Sequence, residues 1–303
     1  MSASPAVSVL VTAYNREDFL RESIESVLAQ SFTDFELIVS DDHSRDETVA
    51  IASDYARRDR RVRVSVNAEN LGDYGNRRQA LSLARGRFVK YHDSDDVMYP
   101  HCLSVMVNAL EAASSAAFAL SGSQHWPGGP CPMLLTPKLA YEREFLGSGL
   151  FHLGPAAALF RTDAFRELGG FPLNGIASDY LFWIEACAKV NVLLVSADLF
   201  YYRIHTGQEL SDPRAGVEYA RAARAVWEKL HAADCPLDAA GREQAKRNFA
   251  YVQARGVLRR MRSGNFASAA AIVRYAGLDL GAWLRYLRPP RRSTCAGTPI
   301  ATT

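Results

Sequence analysis

The sequence predicts an α/β fold, a mostly parallel sheet with helices on both faces, followed by a helical C-terminal appendage. Three observations lead there. Short β-branched, apolar runs alternate with amphipathic helical stretches over the first hundred or so residues, the pattern of βαβ units. Each run ends in polar or acidic residues, where open sheets of this kind bind ligands. After Ser211 no strand signal returns.

The elements follow in order. Val7 to Thr12 (VSVLVT) reads as a strand, and Arg16 to Gln30 as a helix, with Phe19, Leu20, Ile24, Val27 and Leu28 at helical spacing. Phe35 to Ser40 is a second strand, Asp46 to Arg57 a helix, Val62 to Val66 a strand, Asn76 to Ala84 a helix and Gly86 to Tyr91 (GRFVKY) a strand. From Met98 the pattern is less regular, and Gly and Pro punctuate Ser121 to Pro137 as a loop. Ala156 to Leu168 resumes a strand and a helix, Asp179 to Val190 is helical, and Val192 to Tyr202 is a strand. Arg214 to His231, Arg242 to Arg262 and Phe266 to Leu287 read as helices. The simplest division is a domain over 1–211, a helical appendage over 212–290 and a disordered tail over 291–303.

Composition excludes several classes. A net charge of +2 on 303 residues argues against a bulk nucleic-acid partner. The charge is uneven, with twelve Arg/Lys against two Asp/Glu between Arg242 and Arg292, so the body is acidic and the tail basic. Five scattered cysteines without a C-x-x-C suggest neither a disulfide framework nor a zinc site. The N-terminus MSASPAV lacks a signal-peptide pattern, and no apolar run reaches the ~18 residues of a spanning helix. The address expected is the reducing cytoplasm.

The most informative stretch is YHDSDD, where Asp93, Asp95 and Asp96 follow a core strand directly. A D-x-D at a strand end suits Mg²⁺ or Mn²⁺, hard cations that take oxygen ligands and keep positions for substrate phosphate. Asp41-Asp42 closes another strand. Asn15, Ser44 and Asp46 are also ordinary helix-capping types. No glycine-rich phosphate loop follows the first strand (TAYNRED), which argues against a nucleotidyltransferase or a dinucleotide-binding oxidoreductase.

Six motifs in order, VSVLVTAYNR, FELIVSDDHSRDET, NLGDYGNRRQALSLARGRFVKYHDSDD, FRTDAFRELGGF, SDYLFW and YYRIHTGQELS, make the chain from about Val7 to Ser211 resemble a family 2 glycosyltransferase with the Rossmann-like GT-A fold. The resemblance implies transfer of a sugar from a nucleotide diphosphate donor, UDP before others, to a hydroxyl of a saccharide or lipid-linked acceptor in cell-surface polysaccharide synthesis. It implies inversion at the anomeric carbon. Carried over residue by residue, it puts Thr12 and Tyr14 at the nucleotide base, Asp42 on the ring N–H, Arg77 near the phosphates and Asp93 on the ribose or donor sugar. Asp95 and His205 become metal-site residues, Asp96 a supporting or capping residue, and Asp179 the base that takes the acceptor proton. Two positions depart from the family pattern: Arg78 stands where Asn is common, and Ser178 replaces the Glu of a frequent Glu-Asp pair. Ser178 is the feature that favours an alternative, a donor-binding or scaffolding protein of the same fold without turnover.

Ala269 to Arg292 mixes apolar and aromatic residues with arginines. Two readings stay open: a helix on the anionic inner face of a membrane, or one whose Ile272, Trp283 and Leu287 pack back on the body.

Overall fold

The computed structural model describes residues 4–122, 131–147, 149–196, 199–206, 208, 215–278, 281, 283 and 298–299. The expected βαβ units are present as β1 (Val7–Ala13), α1 (Leu20–Leu28), β2 (Phe35–Asp41), α2 (Thr48–Arg58), β3 (Val62–Val66), α3 (Asp73–Leu83) and β4 (Phe88–Asp93). Next come β5 (Val97–Met98), α4 (Cys102–Ala112), β6 (Ala116–Ser121), β7 (Met133–Leu135) and α5 (Pro137–Leu146). Then follow β8 (Ala158–Arg161), α6 (Thr162–Glu167), α7 (Ser178–Cys187), β9 (Asn191–Val195) and β10 (Phe200–Tyr201). Three helices, α8 (Ala215–His231), α9 (Ala239–Arg262) and α10 (Phe266–Tyr275), precede a two-residue β11 (Thr298–Pro299).

The main sheet runs in the order β11-β7-β9-β6-β8-β4-β1-β2-β3, and β5 with β10 forms a separate ribbon. Strands β3, β2, β1 and β4 are parallel; β8 runs antiparallel between β4 and β6, and β7 and β11 close the far edge antiparallel. The register sets Thr12 beside both Ser40 and Asp93, so the candidate residues of three strands share one edge.

Period-two alternation in β1 divides the core between the sheet's two faces. Val9 and Val11 pack with Leu20, Ile24, Ala52, Leu103 and Met106 on one face. Leu10 joins Tyr74, Phe160 and Trp183 on the other. That second cluster also takes in Val226, Leu230, Phe249 and Ile272, so α8, α9 and α10 pack on the body through their apolar stripes.

Several expectations need correction. Helix α4 and strand β6 occupy a stretch read only as irregular, and β7 lies inside the expected loop Ser121 to Pro137. The strand expected over Val192 to Tyr202 is divided into β9 and β10, and the helix expected from Phe266 to Leu287 runs as α10 to Tyr275, short of Gly277 with φ 74°. Ile272 is buried and Trp283 is partly buried against the core, which answers the tail question for those two residues. Leu287 lies outside the described residues, as does the expected tail 291–303 apart from Thr298 and Pro299, which pair with β7.

Candidate active site

The C-terminal ends of β1, β2 and β4 form the floor of a cleft. Just past β1 the chain turns sharply: Asn15 takes φ 50°, a conformation that Asn tolerates. Its side-chain oxygen accepts from the Arg45 backbone N–H at 2.9 Å, and its own N–H donates to Ser44 Oγ at 2.9 Å. Ser44 donates in turn to Asp41 through both N–H (2.9 Å) and Oγ (2.5 Å). Asp41, Ser44 and Asn15 therefore build the loop. Tyr14 stands 42 % exposed beside it, while Thr12 is buried in the floor. A cavity of about 400 Å³ opens here, lined by Asn15, Arg16, Glu17, Asp18, Phe19, Arg45 and Asp46.

Asp42 is nearly inaccessible and already well bonded. Oδ1 accepts from Asn67 Nδ2 (2.8 Å) and the Leu71 N–H (2.9 Å), and Oδ2 accepts from the Gly72 N–H (2.9 Å). A carboxylate offers about four lone-pair positions, which leaves one. The loop from residue 67 to 72 is thus clamped by the residue expected to read the nucleotide ring.

Arg77 bridges two carboxylates. Nε donates to Asp73 Oδ1 at 3.0 Å, the i, i+4 contact within α3, and Nη2 donates to Asp93 Oδ1 at 2.7 Å. Its Nη1 is buried with no partner among the described residues, a donor left over after the protein's own needs are met. Burial alone would raise both carboxyls. Arg77 outweighs burial at Asp93 and holds it below the usual carboxylate range, whereas Asp73 stays raised. Asp73 was not singled out from sequence, although its spacing from Arg77 is the signal that finds it. Arg78 is exposed on the outer side of α3.

At the D-x-D turn, Asp95 Oδ2 lies 2.9 Å from His205 Nε2 and 3.4 Å from Arg16 Nε. The His205 ring packs on Phe19 at 4.6 Å between centroids. Arg203 fastens this loop: its N–H donates to Asp96 Oδ1 at 3.0 Å, its Nε to the Asp95 carbonyl at 2.9 Å and its Nη2 to Glu22 at 2.5 Å. Burial, with Asp93 nearby, pushes Asp96 up to about 8, so it holds its proton at neutral pH. Asp96 therefore anchors the loop carrying His205. Sequence reasoning took only His205 from YYRIHT and missed Arg203, and it missed Arg16 and Phe19 altogether.

Among the described residues no group of three or more His, Cys, Asp and Glu side chains could hold a metal. Asp95 and His205 offer one carboxylate oxygen and one imidazole nitrogen on the same side of the cleft. Two protein donors suit Mg²⁺ or Mn²⁺ where substrate phosphate and water complete the shell, so the pair fits a metal bound together with a diphosphate.

Asp179 opens α7 across the cleft. Its N–H donates to the Tyr74 hydroxyl at 3.3 Å, and Oδ1 accepts from the Tyr180 N–H at 2.7 Å. Burial raises its carboxyl to about 6, and Arg77 and Asp73 are among the charges that act on it. Ser178 is fully buried, donating to the Gly175 carbonyl at 2.6 Å and accepting from the Asn174 N–H at 3.0 Å. It closes the short 3₁₀ turn Gly175–Ala177 ahead of α7. An ionised Glu has no proton to donate to the Gly175 carbonyl, which gives Ser178 a structural reason. The fold thus sets Thr12 beside Asp93 in the sheet, ties Asp93 to Arg77 and Asp95 to His205, and joins Asp179 to Tyr74 of the helix that carries Arg77.

Comparison with known proteins bears on this geometry. Residues 8–169, just over half the chain, match the family model described as Glycosyl transferase family 2. A GalNAc(5)-diNAcBac-PP-undecaprenol beta-1,3-glucosyltransferase of Campylobacter jejuni is 31 % identical over 48 % of this chain and 44 % of its own length. The putative teichuronic acid biosynthesis glycosyltransferase TuaG of Bacillus subtilis is 41 % identical over 39 % of this chain and 46 % of its own. Each match thus spans less than half of the relative. The crystal structure of S. aureus TarS 1-349 in complex with UDP-GlcNAc superposes with TM-score 0.61 at 21 % identity, covering 89 % of this chain and 91 % of that one.

Proposed function

This chain belongs to glycosyl transferase family 2 and has the GT-A fold, and from that premise we propose that it moves a sugar, with inversion, from a nucleotide diphosphate donor to an acceptor hydroxyl. The observation that supports the reading is that Arg77 holds Asp93 at 2.7 Å and lies near enough to act on the Asp179 carboxyl, while Asp95 two residues past Asp93 meets His205 at 2.9 Å. We read UDP as the nucleotide, with Tyr14 stacking on its base and the remaining lone pair of Asp42 taking the ring N–H. The acceptor is a saccharide or lipid-linked saccharide of a cell-surface polymer, met at the cytoplasmic side of the membrane.

Each residue has one task. Arg77 donates its free Nη1 to a phosphate oxygen while Asp73 and Asp93 fix its plane. Asp93, held ionised by Arg77, accepts from sugar or ribose hydroxyls. Asp95 and His205 would hold Mn²⁺ or Mg²⁺, whose chemistry is to neutralise charge on the departing diphosphate. Asp179 takes the proton of the acceptor hydroxyl as its oxygen attacks the anomeric carbon. The C–O bond to the sugar forms as the bond to the diphosphate breaks, in one displacement without a covalent sugar-enzyme intermediate. A base with its carboxyl near 6 is ionised at neutral pH yet more basic than an exposed Asp, which suits proton transfer.

A panel of nucleotide sugars with Mn²⁺ or Mg²⁺, run on the unaltered chain, Asp95→Ala and Asp179→Asn, tests this. Metal-dependent release of one nucleotide, absent in Asp95→Ala, with Asp179→Asn binding donor but not transferring, is the expected result. Ser178 is the one feature favouring a donor-binding protein without turnover, and tight nucleotide binding with no product from any donor would establish that reading instead.

A further inference from the structure

We propose that the tip of the hairpin formed by α9 and α10 is a docking surface for an anionic phospholipid bilayer. From residue 244 to residue 278 the chain has seven Lys/Arg and no Asp or Glu. In α9, Leu258 and Met261 are 51 % and 49 % exposed, and Phe266, the first residue of α10, is 64 % exposed. Leu258, Met261 and Arg262 follow i, i+3, i+4 spacing and share one face. The turn brings Phe266 back beside them: Gly264 has φ 75°, and the Asn265 N–H donates to the Arg260 carbonyl at 2.8 Å. Exposed Arg255, Arg259 and Arg262 flank this apolar group. Apolar side chains large enough to enter the acyl boundary, ringed by arginines with no nearby carboxylate in sequence, complement an anionic interface.

The tip is also linked through α8 to the turn that leads into Asp179, the residue read here as the acceptor base. A Cβ on Gly216, at the start of α8, would meet Ser268 Oγ at 2.7 Å, so the first turns of α8 and α10 touch. One half-turn on, Glu218 Oε2 accepts the Ile176 N–H at 2.7 Å, in the turn that leads into Asp179. The surface differs from the stretch that sequence suggested, where Ile272 and Trp283 face the core. It would bring a lipid-linked acceptor toward Asp179, and in that consequence it rests on the transferase reading.

Flotation of the full chain with phosphatidylcholine vesicles, with and without added phosphatidylglycerol, tests the surface without turnover, so failure of the transferase reading leaves this test intact. Binding is expected only to the anionic vesicles, weakened roughly fivefold by each of Arg259→Ala and Arg262→Ala. It should be lost in the double variant Met261→Ser, Phe266→Ser, whose circular dichroism and thermal unfolding stay unchanged. Absence of binding by the unaltered chain, or equal binding by the variants, overturns the proposal. So does a dimer in sedimentation that the Ser variant splits, because a second copy would then be the occupant.

Discussion

Replacing Asp179 by Asn is expected to stop transfer and, at neutral pH, to stabilise the fold. Burial lifts this carboxyl to about 6 from an ordinary 3.8. Each pKa unit corresponds to about 1.4 kcal/mol, so keeping the side chain ionised costs up to about 3 kcal/mol, and about 1–3 kcal/mol once partial solvent access is allowed for. The folded chain holds the proton more tightly than the unfolded one. Its stabilising effect is therefore complete below pH 3.8 and lost as pH rises through about 6. Asn matches the neutral acid in shape at every pH, and its oxygen can keep the bond from the Tyr180 N–H. Urea unfolding should find the two proteins nearly equal near pH 4 and the Asn variant more stable by about 1–3 kcal/mol above pH 7. Transfer by the unaltered chain, on the proposed reading, should rise with pH through about 6. An advantage over the unaltered chain no larger at pH 8 than at pH 4, or a variant that still transfers, would refute the argument.

Arg77→Met leaves Asp73 and Asp93 facing each other without their shared cation, and should cost about 3 kcal/mol by urea denaturation while abolishing donor binding by calorimetry. Arg16→Ala should leave stability within about 0.5 kcal/mol, because a partly exposed 3.4 Å pair contributes little, and should lower the Mn²⁺ concentration giving half-maximal activity. Gly175→Ala would set a Cβ 2.1 Å from Glu218 Oε2 at φ 77°, so a loss of about 1–3 kcal/mol in thermal unfolding and a fall in kcat are expected.

The parallel half of the sheet was legible because its strands are β-branched and its helices keep their period. The antiparallel half was legible only in part: β8 and β9 lie in stretches that read as strands, whereas β6 and β7 do not. Strand β6 (AAFALS) is half alanine, a poor strand former that stays paired because β8 and β9 flank it. Strand β7 is three residues long and sits next to glycines and prolines that dominate any local reading. At the site, the residues read correctly as neighbours were those at strand ends, because the sheet's register fixes them. Arg16, Phe19 and Arg203 were invisible for a different reason: their roles depend on contacts across long stretches of chain, such as Arg203 with Glu22, which no spacing encodes. Asp42 shows a third case. Its residue type suggested ligand recognition, and only the structure shows that Asn67, Leu71 and Gly72 already share most of its capacity.

The way each strand-end carboxylate is compensated indicates where a ligand can enter. Asp41 and Asp42 are buried and bonded by hydroxyl, amide and backbone donors of their own loops, which hold them in place and leave Asp42 one acceptor position. Asp96 avoids the charge problem by keeping its proton. Asp93 is tied to a buried arginine that has an N–H to spare. Among the described residues, Asp95 is compensated by side chains that reach it from other loops, Arg16 at 3.4 Å and His205 at 2.9 Å, both partly open to solvent. On the proposed reading, an incoming cation would displace the arginine there at small cost, and Asp95 and His205 would be the residues that hold it. The fold therefore concentrates negative charge along one sheet edge but leaves it weakly compensated at one carboxylate, next to the arginine with an unused donor. The metal-bound diphosphate of the proposed reading would meet both needs at once, whereas a lone cation or a lone phosphate would meet only one.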